Sequence, residues 1–197
     1  MRKLFLLLIF FSAVQLYSQS ADYPYIMNNG TIFINAGVGF GNAIGKGTKM
    51  SCPPLTVSMD IAIPVLGFPI SLGIIAGYFS ESGSISDTKL GIVTKIDSEL
   101  EGLLVAGRIA YHVNFFKLAR LDPYVLITIG GIIGNLNTKT TINNNTGAAK
   151  SNKSDLNDFW YGVSAGTRYF FTPNIGAFVE LGLGNVQNFS FGVSFKL

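Results

Sequence analysis

Three observations predict an all-β fold, an eight-stranded antiparallel up-and-down transmembrane β-barrel. Charged residues make up 13% of the chain, against about 25% in typical soluble domains, and the mean hydropathy is +0.41. After the N-terminal leader, no segment offers the roughly eighteen consecutive apolar residues of a transmembrane helix. Short segments instead alternate between large apolar and small or polar side chains. A barrel built from such strands satisfies its backbone hydrogen bonds in lipid.

Residues 1–20 predict a secretory signal peptide. A basic pair precedes an apolar run from Leu4 to Phe11, and small and polar residues follow the run. The run is too short to span a bilayer, so we expect the leader to be cleaved near Ala21. A buried N-terminal helix is the alternative interpretation. The remaining chain divides into a short periplasmic lead-in, residues 21–30, and the barrel, residues 31–197.

Eight segments of about ten residues, each bounded by turn signals, are the candidate strands. They are residues 31–41, 54–63, 69–80, 103–113, 123–134, 159–171, 175–184 and 188–197. Connections after the second, fourth and sixth segments are short, whereas those after the first, third and fifth are long and polar. This alternation predicts short periplasmic turns and long outer loops. We therefore expect polar loops at residues 81–102 and 135–158, the latter mobile, both available to an extracellular partner.

The alternation predicts which side chains face outward. In the sixth segment Tyr161 and Val163 fall on the apolar face and Arg168 on the opposite one. Outward charges are nearly absent from the segment centres, and outward aromatic residues gather at the segment ends, as expected for two aromatic girdles in contact with outer-membrane lipid. The girdle residues are Phe40, Tyr78, Phe159, Tyr161 and Phe189 on the loop side and Tyr111, Tyr169, Phe171 and Phe195 on the turn side. The general preference of aromatic residues for strands is the alternative explanation.

An eight-stranded barrel has an interior just wide enough to be filled by side chains, so charges that point inward need partners. The inward charged residues are Asp60, Arg108, Arg168, Glu180 and Lys196, with Asn35 and His112 beside them. We expect Arg168 and Glu180 to pair across the hairpin at residues 172–174, with Asp60 as the other possible partner of Arg168. Such a cluster is either a structural plug of salt bridges or a gate for small ions.

Several other functions find little support in the composition. One cysteine and one histidine exclude a Cys/His zinc site, and no cofactor is expected. The sequence after the leader has no cluster of basic residues that could bind a phosphate backbone, so we expect no nucleic-acid binding. A hydrolase would need a serine and an acidic residue near His112, and no inward serine lies obviously within its reach. We therefore expect a protein that is not an enzyme.

The chain resembles the small eight-stranded outer-membrane barrels of the OmpA-transmembrane-domain and OmpX type. The block AGTRYFFTPNIGAFVELGLG and the terminal strand FSFGVSFKL carry this resemblance. It implies a monomeric barrel in the outer membrane of a Gram-negative bacterium, inserted by the barrel-assembly machinery. That machinery reads an aromatic C-terminal signal, here Phe195 and Leu197. We expect a structural or adhesive role, with a narrow ion or small-solute pore as the alternative and a lipid-modifying hydrolase third.

Overall fold

The computed structural model describes residues 28–41, 49–65, 68–89, 92–113, 120–143, 148–184 and 186–197. The predicted signal peptide and most of the predicted lead-in lie outside these residues. Within the described part of the chain, no helix is long and apolar enough to cross a membrane.

Eight strands form one closed antiparallel barrel in chain order, which confirms the predicted fold class. They are β1 Ile32–Phe40, β2 Lys49–Val65, β3 Phe68–Lys89, β4 Ile92–His112, β5 Leu121–Asn143, β6 Ala148–Phe170, β7 Ile175–Gly184 and β8 Phe189–Lys196. The barrel closes between β1 and β8, in a register that runs from Phe33 opposite Lys196 to Phe40 opposite Phe189. Where β1 and β8 close the barrel, the sheet has no free edge, so the backbone polar groups of the strands are paired there.

Outward side chains of the strands form an apolar belt. On β5 the outward residues Val125, Ile127, Ile129 and Ile133 are between 37% and 63% exposed. Along β5 the belt extends from Leu121 to Ile133, and the described residues at the same height on the other strands place no charge outward. Twelve residue steps span roughly 40 Å along a strand and roughly 30 Å along the axis of a tilted barrel. This height matches the hydrocarbon thickness of a bilayer, about 30 Å.

Four strands continue well beyond the belt. The β3–β4 ladder reaches Lys89 opposite Ile92, and the β5–β6 ladder reaches Ile142 opposite Ala148. We call this part of the sheet the extension; it comprises residues 80–89, 92–102, 134–143 and 148–158. The prediction of polar loops at residues 81–102 and 135–158 is therefore wrong, because the described residues of these stretches form the upper halves of two long β-hairpins. Above Leu100, Leu136 and Leu156, which pack at the lumen, both faces of the hairpins are mostly polar, so their sequences lack the apolar alternation that marks the strands below.

The rim of the barrel is uneven as a result. The strands β7, β8 and β1 stop near the top of the belt, at Gly184, Phe189 and Phe40. The β6–β7 ladder covers only Gly162 to Phe170 of β6, although β6 itself begins at Ala148. Among the described residues, the upper part of β6 therefore has a ladder partner on one side only.

We expect Ile127→Arg to hinder folding into lipid vesicles. Ile127 lies at the middle of the belt, and an arginine at the midplane of a barrel's lipid face costs about 2–4 kcal/mol. The matched control is Asn137→Arg, on the same strand and the same face but in the extension, where the cost should be close to zero. Urea-dependent unfolding from vesicles measures both variants. Equal stability of the two would contradict the assignment of the belt.

Candidate functional site

The half of the lumen nearer the short turns holds a cluster of buried ion pairs, Asp60, Arg108, Asp122, Arg168 and Glu180, which we call the ion-pair cluster. Arg168 lies at its centre and is fully buried. Its Nη2 donates to Asp60 Oδ2 at 2.8 Å and its Nη1 to Asp122 Oδ2 at 2.9 Å. Its Nε donates to Asn35 Oδ1 at 3.2 Å. All three guanidinium nitrogens thus have an acceptor, as a buried arginine requires.

Two aromatic rings enclose the same guanidinium. Arg168 Cζ lies 4.5 Å from the centre of the Phe33 ring and 4.3 Å from that of Tyr124. Both rings are buried, so these cation–π contacts are made away from water, where they are strongest. Phe33 and Tyr124 therefore hold the guanidinium group through its faces, while the two carboxylates and the Asn35 amide accept hydrogen bonds from its nitrogens.

Arg108 and Glu180 form the second ion pair. Arg108 Nη2 donates to Glu180 Oε1 at 2.8 Å, and its Nε lies 3.2 Å from Asp60 Oδ1, off the direction of a hydrogen bond. Glu180 also accepts from the Tyr124 hydroxyl at 2.8 Å and from Ser190 Oγ at 3.2 Å. Asp60 contacts both arginines and so links the two pairs into one network.

Two glycines make room for this network. A Cβ on Gly73 would lie 2.1 Å from Asp60 Oδ1, and one on Gly166 would lie 2.8 Å from the Tyr124 ring and 2.9 Å from Glu180 Cγ. These inward positions carry no side chain where the cluster's own side chains approach the wall. The sequence alternation shows small residues there, but only the structure shows what fills the space.

The structure changes the predicted pairing in two ways. Arg168 and Glu180 lie one diagonal apart, since Glu180 pairs in register with Gly166, but each binds another partner. The predicted Arg168–Glu180 pair is therefore wrong, and the alternative partner Asp60 is the observed one. Lys196 faces inward but lies over the Phe170 ring, with Nζ 5.3 Å from the ring centre, and is absent from the ion pairs of the described residues.

Asp122 is a member of the cluster that the sequence prediction misses. The fifth segment is predicted to begin at Pro123, which leaves Asp122 in the preceding turn. The strand begins instead at Leu121, opposite Tyr169, which directs Asp122 into the lumen. With Asp122 the cluster holds three carboxylates against two guanidinium groups, and His112 lies beside the third carboxylate.

A serine, a histidine and an aspartate form a hydrogen-bonded chain at the edge of the cluster. His112 Nδ1 lies 2.7 Å from Asp122 Oδ1, and its Nε2 lies 2.9 Å from Ser71 Oγ. The expectation that no serine lies near His112 is thus wrong; Ser71 pairs with Ala110, two residues from His112 on β4. The order of groups is that of a hydrolase triad. However, Ser71 is only 1% exposed, and the other oxygen of Asp122 is bound to Arg168.

The half of the lumen nearer the extension is mainly apolar, although Glu81 is buried there, opposite Leu100. Its side chains form one buried cluster, the apolar plug, which comprises Ile75, Phe79, Leu100, Leu104, Ala106, Ile132, Trp160 and Val186. Val186 comes from the β7–β8 connection and is fully buried, so this connection folds over the lumen. Leu136 and Leu156 of the extension pack against the plug. The lumen is therefore filled by two layers in series, one apolar and one charged.

The nine predicted girdle residues all lie on the outward side of the alternation, and their arrangement in two girdles stays a prediction. Phe40 packs against Phe189 with ring centres 6.1 Å apart, and Tyr169 against Phe171 at 5.5 Å. Phe159 and Tyr161 are also neighbours, at 6.1 Å. The remaining girdle residues, Tyr78, Tyr111 and Phe195, share the outward face. Leu197, the other residue of the predicted insertion signal, hydrogen-bonds through its backbone to Ile32 and completes the closing ladder.

A polar cavity of about 750 Å³ lies in the extension. Hydroxyl, amide and charged side chains line it, among them Ser82, Ser84, Asn137 and Lys139. Beside it Lys95 Nζ lies 3.0 Å from Asp97 Oδ1. Hydrogen bonds from Lys95 and then Ser84 hold the pKa of Asp97 below its usual value. The surface carries both signs of charge and no concentrated field of either.

Comparison with solved structures finds similar folds among outer-membrane proteins. A major outer membrane protein from Thermus thermophilus has a TM-score of 0.51 at 10% identity, covering 86% of this chain and 100% of its own. The N-terminal β-barrel domain of Pseudomonas aeruginosa OprF has a TM-score of 0.46 at 16% identity, covering 87% and 100%. Ail, the attachment invasion locus protein of Yersinia pestis, has a TM-score of 0.39 at 13% identity, covering 86% and 100%.

At these identities the likeness concerns the fold. No family profile and no curated protein sequence matches the chain. The Thermus likeness, together with the closed eight-stranded topology, confirms the fold that the sequence resemblance indicates. The chain is a small eight-stranded barrel with the fold of outer-membrane β-barrel proteins.

We expect the Arg108–Glu180 pair to show strong coupling in a double-mutant cycle. Loss of one partner, by Arg108→Met or Glu180→Gln, leaves an uncompensated buried charge and should cost about 3–5 kcal/mol. The double variant should cost less than the sum, with a coupling of about 1–3 kcal/mol. Denaturant unfolding in vesicles measures the cycle. The control cycle, Arg168→Met with Glu180→Gln, should be closer to additive, and a larger coupling there would contradict the observed pairing.

Proposed function

We propose that this protein is an integral outer-membrane barrel of a Gram-negative bacterium whose role is structural and surface-interacting, without transport or catalysis. The apolar belt, about as high as a bilayer core, supports insertion in a membrane. The extension supports the surface role, because it raises a four-stranded sheet of polar residues beyond the belt. The single observation that carries the proposal is the combination of a filled lumen with a protruding sheet whose β6 edge has no ladder partner among the described residues.

The filled lumen favours this role over the pore alternative. An ion that entered from the extension would meet the apolar plug, where Trp160 and Phe79 leave no polar partner for its hydration shell. Beyond the plug it would meet Arg108 and Arg168, whose charges are already paired with buried carboxylates. Exchange of ion-pair partners would open only the charged layer, and the apolar layer would still block conduction.

The Ser71–His112–Asp122 chain is the one observation that favours a hydrolase. Its distances suit proton transfer from the serine, but a substrate carbonyl would have to reach Ser71 through a closed lumen. The second oxygen of Asp122 is committed to the ion-pair cluster. We therefore assign Ser71, His112 and Asp122 a structural role, in which their mutual hydrogen bonds satisfy three buried polar side chains at the turn end of the lumen.

We expect the wild-type protein to produce no discrete conductance steps in planar bilayers. Two single variants test the two layers separately: Trp160→Ala thins the apolar plug, and Arg168→Gln removes the central charge of the ion-pair cluster. Because the layers act in series, neither variant alone should conduct. Steps that appear with Arg168→Gln alone would favour the gated pore instead, and heat-modifiable gel mobility confirms that each variant has folded.

We expect Ser71 to resist a fluorophosphonate probe in the folded protein, since its hydroxyl is buried. Ser71→Ala should instead lower stability, by about 1–3 kcal/mol, because it leaves a buried imidazole nitrogen without a partner. Labelling of Ser71 in folded protein, abolished by His112→Gln, would establish the hydrolase. A stability loss without labelling supports the structural role.

A further inference from the structure

The upper part of β6 presents an open row of backbone hydrogen-bonding groups. Phe170 N donates toward β5, to Arg120 O, whereas Phe171 N donates toward β7, to Ile175 O. The β5–β6 register has no shift between Tyr169 and Ala148, so every odd residue of β6 directs its N–H and C=O away from β5. Above Gly162 no strand lies there among the described residues. In that part of the chain, the backbone groups of 151, 153, 155 and 157 have no partner.

Such an edge is a template for another strand. The stretch KSNKSDLND, residues 150–158, has no proline and no glycine that would interrupt pairing. Its charged side chains, Lys150, Lys153, Asp155 and Asp158, are all exposed. Charges on an edge normally discourage pairing, unless the incoming strand presents the opposite sign at each position.

When two copies of this stretch run antiparallel, each charged residue can face a residue of opposite charge. If a second copy of the strand runs antiparallel with a two-fold axis at Ser154, Lys153 faces Asp155 of the other copy and Lys150 faces Asp158. The same two pairs recur on the other side of the axis, so all eight charges meet the opposite sign. An axis at Lys153 would instead oppose two lysines, and an axis at Asp155 would oppose two aspartates. Charge complementarity therefore selects one register.

We propose that the β6 edge pairs with the β6 edge of a second copy of this chain, in the opposite membrane. The inference rests on the proposed function, since it requires the belt to lie in a membrane. β6 runs from the extension down into the belt. An antiparallel partner runs the other way, so its belt lies at the opposite end of the paired stretch from the belt of this copy. Two barrels joined in this way face each other head to head, and each remains a single barrel in its own membrane.

The uneven rim of the described strands leaves space for the partner. The strands β7, β8 and β1 end at the top of the belt, beside the free edge of β6. The partner's extension would occupy the space above these short strands. From Ser154 to Phe159 is five residues in each copy, so the two belts would lie roughly 33 Å apart along the strands and roughly 25 Å along the membrane normal. Surface polymers longer than that gap would prevent the contact.

Charge reversal in two complementary variants tests the proposal in vesicles that carry the full barrel. The first variant is Lys150→Asp with Lys153→Asp, and the second is Asp155→Lys with Asp158→Lys. Like charges then face each other in homotypic contacts, so each variant alone should tether vesicles at least about tenfold less than wild type. A mixture of the two vesicle populations should regain wild-type tethering, because every facing pair is again opposite. Unchanged tethering by either variant, or no recovery on mixing, overturns the proposal.

Cysteine cross-linking tests the register itself, in a Cys52→Ser background. Residues facing each other at Ser154 form a non-hydrogen-bonded pair, with Cα atoms about 4.5 Å apart, which a disulfide spans. Ser154→Cys should therefore give a covalent dimer on vesicle contact. The control Asn152→Cys lies on the same face but faces residue 156 of the other copy, so its own counterpart is roughly 13 Å away. Equal cross-linking at both sites overturns the register.

The readouts separate the two proposals. Heat-modifiable mobility and protease protection report insertion of the barrel, whereas tethering and cross-linking report edge pairing. Inserted wild-type barrels that do not tether overturn the pairing and leave the membrane role intact. Failure of the wild type to insert overturns both.

Discussion

The requirement to pair every backbone N–H and C=O in an apolar surrounding is the constraint on which the rest of this structure depends. Closure between β1 and β8 meets it, and the pleat of each strand directs alternate residues outward and inward. A ring of only eight strands then leaves a lumen of side-chain width, so whatever points inward must pack there. The inward charges of the turn half have no access to bulk water and must satisfy one another. The ion-pair cluster is thus a consequence of closing a small barrel around charged residues.

This dependence explains which parts of the structure the sequence could predict. The outward and inward assignments follow from alternation alone, and residues as far apart as Met59 and Phe195 lie on the predicted face. The extension is not predicted, because alternation of hydropathy appears only where one face is buried and the other is not. In the upper part of the extension both faces are mostly polar, so Thr138, Lys139 and Thr140 look like a loop although they pair in register with Ser98, Asp97 and Ile96.

The partners inside the lumen are harder to predict for a different reason. Neighbouring strands can be aligned from their turns, which brings Ser71 within one diagonal of His112 and indicates their proximity. Contacts across the lumen, such as Arg168 on β6 with Asp60 on β2, depend instead on the shear and curvature of the whole barrel. Alignment of one hairpin therefore pairs Arg168 with Glu180, its neighbour on the adjacent strand. The error lies in treating the network as a set of hairpin pairs, whereas Asp60 joins two arginines from different strands.

The two layers of the lumen and the extension also depend on one another. The apolar plug lies between the extension and the ion-pair cluster, so it limits water access to Arg108 and Glu180 from that side, where a lower local dielectric strengthens their attraction. Leu136 and Leu156 belong to the extension but pack against the plug. They tie β5 and β6 to the lumen core just above the belt. The free edge of β6 therefore keeps a fixed direction relative to the barrel, because the same packing that seals the lumen also holds the base of the sheet that carries the edge.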